Sequence, residues 1–218
     1  SSKTTVDNKD GSGSVTDVDE NNVVTSQVTL SEKAIEAAEN GAPVTLPMPS
    51  VRAAADTVTA PVITVELPAG KAVKVEVPVT RVTAGTVAVL VSADGSEEVV
   101  RTSVSTDSGI AVTVSDGDTI KIVENSKNFS DVSGSYWGAD AVDFASSREL
   151  FAGTSDTTFG PEEPMNRAMI VTVLARLEGV DTSTGSTWYE VGQQWAMVNG
   201  ISDGSDLFNN LTREQLAT

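Results

Sequence analysis

Between Val28 and Val123 apolar and polar residues alternate with a period of two, the spacing of strands that bury one face. β-Branched runs recur at Val44-Thr45-Leu46, Val62 to Leu67, Val73 to Val79, Thr86 to Val91, Glu98 to Thr102, Ile110 to Val114 and Thr119 to Val123. In Val73-Lys74-Val75-Glu76-Val77 every second side chain is charged, as suits a strand wet on one side. Pro68-Ala69-Gly70, Ala93-Asp94-Gly95-Ser96 and Ser115-Asp116-Gly117-Asp118 separate the runs, and Asp-Gly favours a tight hairpin turn. The pattern predicts an antiparallel, sandwich-like β domain of about seven strands over residues 28–126. One short helix precedes most of it: Ser31 is placed to cap, Ala34, Ile35 and Ala38 share a face, and Asn40-Gly41 is a stop signal.

Beyond Asn128 the period changes to that of helices. Asp140 to Phe151 places Ala141, Phe144, Ala145, Arg148 and Leu150 near one helical stripe, and Gly153 ends the helix. Phe159 and Pro161 shape a loop, after which Asn166 caps a second helix running to Leu177. This helix-loop-helix unit recurs: at an offset of 51, Trp137 matches Trp188, Phe144 matches Trp195, Ala145 matches Ala196, Leu150 matches Ile201 and Gly153 matches Gly204. Phe159 and Asn166-Arg167-Ala168 then find counterparts in Phe208 and Thr212-Arg213-Glu214 across a shortened loop. A two-helix repeat cannot bury its apolar face alone and stacks on a neighbour. The fold class is therefore α+β in two domains: the β domain, then one repeat over residues 127–179 and a second, cut off in its last helix, over residues 180–218.

Residues 1–27, rich in Ser, Thr, Asp, Asn and Gly, read as a flexible acidic linker, because so few large apolar groups cannot offset the entropy of ordering. Asn8, Asp10, Ser12, Gly13 and Asp19 fall near the spacing of a calcium loop, but the first ligand is not Asp, the last is not Glu, and no helix leads in. No metal and no cofactor are expected. The chain begins at Ser1 without methionine and ends within an unfinished element, so it reads as a segment of a longer one.

Composition narrows the chemistry. With 31 acidic and 14 basic residues the net charge is -17, which opposes nucleic acid and anionic membrane as partners. There is no cysteine and no histidine, so disulfides, thiol nucleophiles, Cys/His zinc sites and a Ser-His-Asp triad are excluded within this chain. Glu162-Glu163 is an adjacent loop pair, read as solvated surface and not as the spaced carboxylates of a glycosidase. Arg148-Glu149 reads as an exposed charge pair of small energetic value. Phe144, Phe151, Trp188 and Trp195 are expected in the core, while Trp137 is equally suited to core or ligand platform. A non-catalytic protein follows.

Phe129-Ser130-Asp131-Val132, Trp137, Gly153, Phe159-Gly160-Pro161 and Asn166-Arg167-Ala168, with Trp188, Gly204 and Leu211-Thr212-Arg213-Glu214-Gln215 after them, resemble the S-layer homology family. The resemblance implies a pseudo-threefold bundle of three repeats that binds secondary cell-wall polysaccharide, often pyruvylated, in grooves between repeats. It implies an extracellular anchor at the cell wall. On this basis Arg167 and Arg213 would grip the polymer, with Trp137 as an apolar face and Asn166 and Thr212 beside the arginines. The second repeat departs by lacking the F-x-D-V opening. The first departs by carrying Asn166 for threonine and Met169 for glutamate in its arginine motif. Weak binding, or completion of the bundle through self-association, is the expectation. More loosely, the β region resembles spacer domains of clostridial surface proteins. An adhesive β module with a protein partner and a fragment of a carbohydrate-processing surface enzyme are the alternatives.

Overall fold

The alternating runs become strands where their side chains can share a core. In the computed structural model, which describes residues 1–218, the chain divides into two compact units, residues 1–127 and 128–218. The first unit holds twelve strands: β1 (Ser2–Asp7), β2 (Gly13–Val18), β3 (Val24–Thr29), β4 (Val44–Thr45), β5 (Val51–Arg52), β6 (Val62–Glu66), β7 (Ala72–Thr80), β8 (Thr86–Val91), β9 (Glu97–Val99), β10 (Val104–Ser105), β11 (Gly109–Ser115) and β12 (Thr119–Glu124). One sheet runs β1-β2-β3-β6-β12-β8-β9 and the other β10-β11-β7-β4, with β5 also on β7. Val28, Ile63, Val65, Ile120 and Ile122 from the first sheet share one buried cluster with Val75, Val77, Ile110 and Val112 from the second. That shared core makes a sandwich, most of it built from valine and isoleucine.

The sheets are mixed, where the alternation predicted antiparallel pairing. β3 pairs with β6, and β4 and β5 pair with β7, in parallel. Parallel neighbours need a crossover instead of a hairpin. Here residues 30–61 supply it, visiting β7 through β4 and β5 before the chain returns to β3 as β6. The helix α1 (Glu32–Glu36) lies on this crossover, with the Ser31 hydroxyl accepting from the Ala34 amide as its sequence position requires.

Residues 1–27 are not a linker. β1, β2 and β3 form an antiparallel meander in continuous register, from Ser2 opposite Val18 to Gly13 opposite Thr29. Apart from Val28, its buried positions are small hydroxyl residues: Ser14, Thr16 and Ser26 are buried, the Thr16 and Ser26 hydroxyls lie 2.7 Å apart, and the Ser14 hydroxyl donates to the Pro47 carbonyl at 2.6 Å. The composition hid this because those hydroxyls find partners inside, which removes the cost of burying them. The calcium-like stretch is the β1–β2 turn, where the Asp10 carboxylate accepts from the amide and hydroxyl of Ser12.

The second unit contains α2 (Ala139–Ser147), α3 (Arg167–Leu177), a short 3₁₀ turn (Thr182–Thr184), α4 (Glu190–Val198) and α5 (Arg213–Ala217). The repeat seen in sequence is a repeat in backbone. Arg148 and Asn199, which follow α2 and α4, share φ -90 and ψ 5. Gly153 and Gly204 both stand at positive φ, and Leu150 and Ile201 return the same bond to Ala145 and Ala196. Asn166 caps α3 by accepting from the Met169 amide, while Thr212 and Gln215 form a capping box on α5. α3 packs on α4 at very close range, since a Cβ on Gly192 would stand 2.7 Å from the Thr172 Cα.

Two sequence readings of this unit are corrected. Arg148 is fully buried, with its guanidinium carbon 3.7 Å from the Phe144 ring centroid and a nitrogen donating to the Phe144 carbonyl at 3.3 Å. Only Glu149 faces water, so no exposed charge pair exists. Trp188, expected in the core, is 49% exposed.

Candidate functional site

The F-x-D-V opening is a clamp. The two carboxylate oxygens of Asp131 accept from the amides of Phe159 and Gly160, each at 2.8 Å, and those amides hold its carboxyl below the usual aspartate range. The Ser130 amide donates to the Thr157 carbonyl, and the Phe129 and Phe159 rings lie 5.3 Å apart. Gly153 closes the loop at φ +81, where a Cβ would stand 2.6 Å from the Thr158 carbonyl oxygen. The Tyr136 hydroxyl donates to Glu162 at 3.1 Å; burial first, then that carboxylate, raises the tyrosine pKa.

Behind the clamped loop lies a cavity of about 530 Å³. Phe151, Phe159 and Met165 wall it from the loop, Met169 and Val173 from α3, and Trp188 from the second repeat. The Trp188 ring meets Tyr189 edge-on at 5.3 Å, and Tyr189 meets Phe208 the same way at 5.2 Å, so the aromatic wall is braced from behind. Its charged lining consists of Glu163 and Arg176. The Arg176 guanidinium donates to the Thr182 hydroxyl at 2.9 Å and to the Leu150 carbonyl at 3.0 Å, tying both repeats together. No group of three or more acidic side chains is arranged to hold a metal ion.

None of the five residues nominated for binding lines this cavity. Trp137 is 90% exposed beside Tyr136. Asn166 and Thr212 use their side-chain oxygens as caps. Arg167 points toward Asp206 of the second repeat at 3.9 Å, and Arg213 is exposed at the start of α5. The structure does bring two of these regions together: the Leu211 amide donates to the Met165 carbonyl, and the Arg167 and Ala168 amides donate to the Asn209 and Leu207 carbonyls. Trp188, Met165, Met169 and Arg176 were not singled out for binding in the sequence. The offset of 51 held a signal for the first, since a platform argument made for Trp137 applies equally to its counterpart Trp188.

Two helix-loop-helix units are stacked here, with a partly aromatic cavity lined by the first and by Trp188 of the second. Residues 128–168 match the S-layer homology domain. Over 105 residues, 43% of this chain, it is 30% identical to a protein called Endoglucanase from Bacillus sp. (strain KSM-635). The chain spans about a tenth (11%) of that relative's length. No solved structure matches the chain. No helix is long and apolar enough to cross a membrane.

Proposed function

We propose that this is a non-catalytic segment of an extracellular protein, a β-sandwich domain followed by helix-loop-helix repeats that anchor it by binding secondary cell-wall polysaccharide. The observation that carries the reading is the aromatic groove between two repeats, held open by the Asp131 clamp inside a segment matching the S-layer homology domain. Sugar rings present apolar CH faces to aromatic walls and hydroxyls to a few polar groups, the lining found here. α5 is exposed along its whole length, which leaves it available to a further repeat or to another copy of the chain.

A second reading draws on the similarity to the protein called Endoglucanase: the parent is a carbohydrate-processing surface enzyme, and this segment is its means of attachment. Within the chain itself, Glu162 is bonded to Tyr136 and Glu163 is exposed, so the adjacent pair does not form two buried, facing carboxylates. The test is retention of the chain on purified sacculi before and after their non-peptidoglycan polymer is stripped. Retention is expected on intact walls and lost on stripped ones. Equal retention on both would refute the polysaccharide anchor.

A further inference from the structure

We infer that the groove between the repeats selects an uncharged sugar ring and disfavours one bearing an acidic substituent such as a ketal-linked pyruvate. This rests on the reading that the chain binds wall polysaccharide and names which form of it the groove takes. Three observations point the same way.

The first is the cation inventory of residues 128–218, four arginines and no lysine against thirteen acidic residues. Arg148 is buried over Phe144, Arg167 leans toward Asp206, and Arg213 stands on α5 away from the groove lining. Arg176 alone reaches the groove, and its guanidinium is engaged by the Leu150 carbonyl and the Thr182 hydroxyl. A ligand carboxylate would have to compete with these two protein acceptors for the one guanidinium that lines the groove.

The second is Glu163, the one acidic residue of the lining, whose carboxyl carbon would lie 3.3 Å from a Cβ on Gly160 and so sits over the loop that forms the mouth. A carboxylate accepts hydrogen bonds from sugar hydroxyls and repels another carboxylate. The same residue therefore attracts a neutral ring and opposes an acidic one. The third is Met169, which stands where the family resemblance leads one to expect glutamate and instead extends the apolar wall formed with Met165 and Trp188. An apolar wall with one acceptor matches a hydroxyl-bearing ring stacked by its CH face.

The experiment titrates the whole 218-residue chain calorimetrically with a neutral N-acetylhexosamine disaccharide and with the same disaccharide carrying a ketal-linked pyruvate, at low and at high salt. The neutral form is expected to bind several-fold tighter, by roughly fivefold at low salt, with the gap narrowing as salt screens Glu163. Glu163→Gln should close most of the gap, and Glu162→Gln should leave it. Trp188→Phe should retain the preference and Trp188→Ala should lose affinity for both forms, with circular dichroism confirming that each variant folds. Tighter binding of the pyruvylated form, or a gap untouched by Glu163→Gln, overturns the inference. If neither disaccharide binds while intact sacculi still retain the chain, the groove assignment falls and the anchor reading stands. If the sacculi fail to retain it as well, both fall.

Discussion

Arg148 shows how a charged side chain can be both on the core stripe and misjudged. The helical period put it beside Leu150, and its charge argued for water. Burial against Phe144 decided the matter, lowering its pKa to about 10, with the Asp143 charge opposing the shift. It stays cationic at neutral pH. Arg148→Ala removes the stacked cation and its carbonyl bond and should cost about 3 kcal/mol or more of stability. Arg148→Met, which keeps most of the volume, should recover part of that loss, as thermal melts followed by tryptophan fluorescence would show. All three tryptophans lie in the second unit, so the signal reports on it alone. Asp131 yields a pH prediction. Its folded pKa lies below the unfolded value of 3.8, so its contribution is present above about pH 4 and is lost as pH falls through the folded pKa. Asp131→Asn, which can no longer accept both amides as an anion, should make the same fluorescence signal less dependent on pH in the acid range.

At the scale of elements, what local chemistry dictates was legible. Ser31, Asn166 and Thr212 all sit at helix starts and accept from the amide three residues on. The runs from Val62, Val73, Thr86, Ile110 and Thr119 became strands close to their sequence limits. What depends on distant partners was hidden. β1 buries no side chain, β2 and β3 bury serine and threonine with Val28 as the one apolar exception, and β5 and β10 are pairs of residues too short to show any period. The contact of α3 with α4 is decided by Gly192, whose missing Cβ admits the Thr172 backbone. Gly192→Ala should force the helices apart and cost about 1–3 kcal/mol, measured by chemical denaturation. A null effect there would show that the helices separate freely.

At the scale of the whole molecule, the groove was the least legible feature. Phe151 and Met169 meet across the loop of the first repeat, and Trp188 joins them only because the second repeat stacks on it. The arginine motif drew attention in sequence, yet its residues start helices and pair across repeats instead of facing the cavity. The parallel strand pairs were hidden for a similar reason, since alternation along a strand says which face is buried and nothing about the direction of its neighbour.

The Asp131 clamp has a counterpart of a different kind in the second repeat. Phe159 and Gly160 are held by a residue that comes before them in the chain. Without an F-x-D-V opening of its own, the loop ending at Leu211 is held by the Met165 carbonyl, which also comes before it. As the polypeptide leaves a ribosome or an export channel from its N-terminus, each of these loops meets a fastening point already delivered, and the module can zip up in the order in which it emerges.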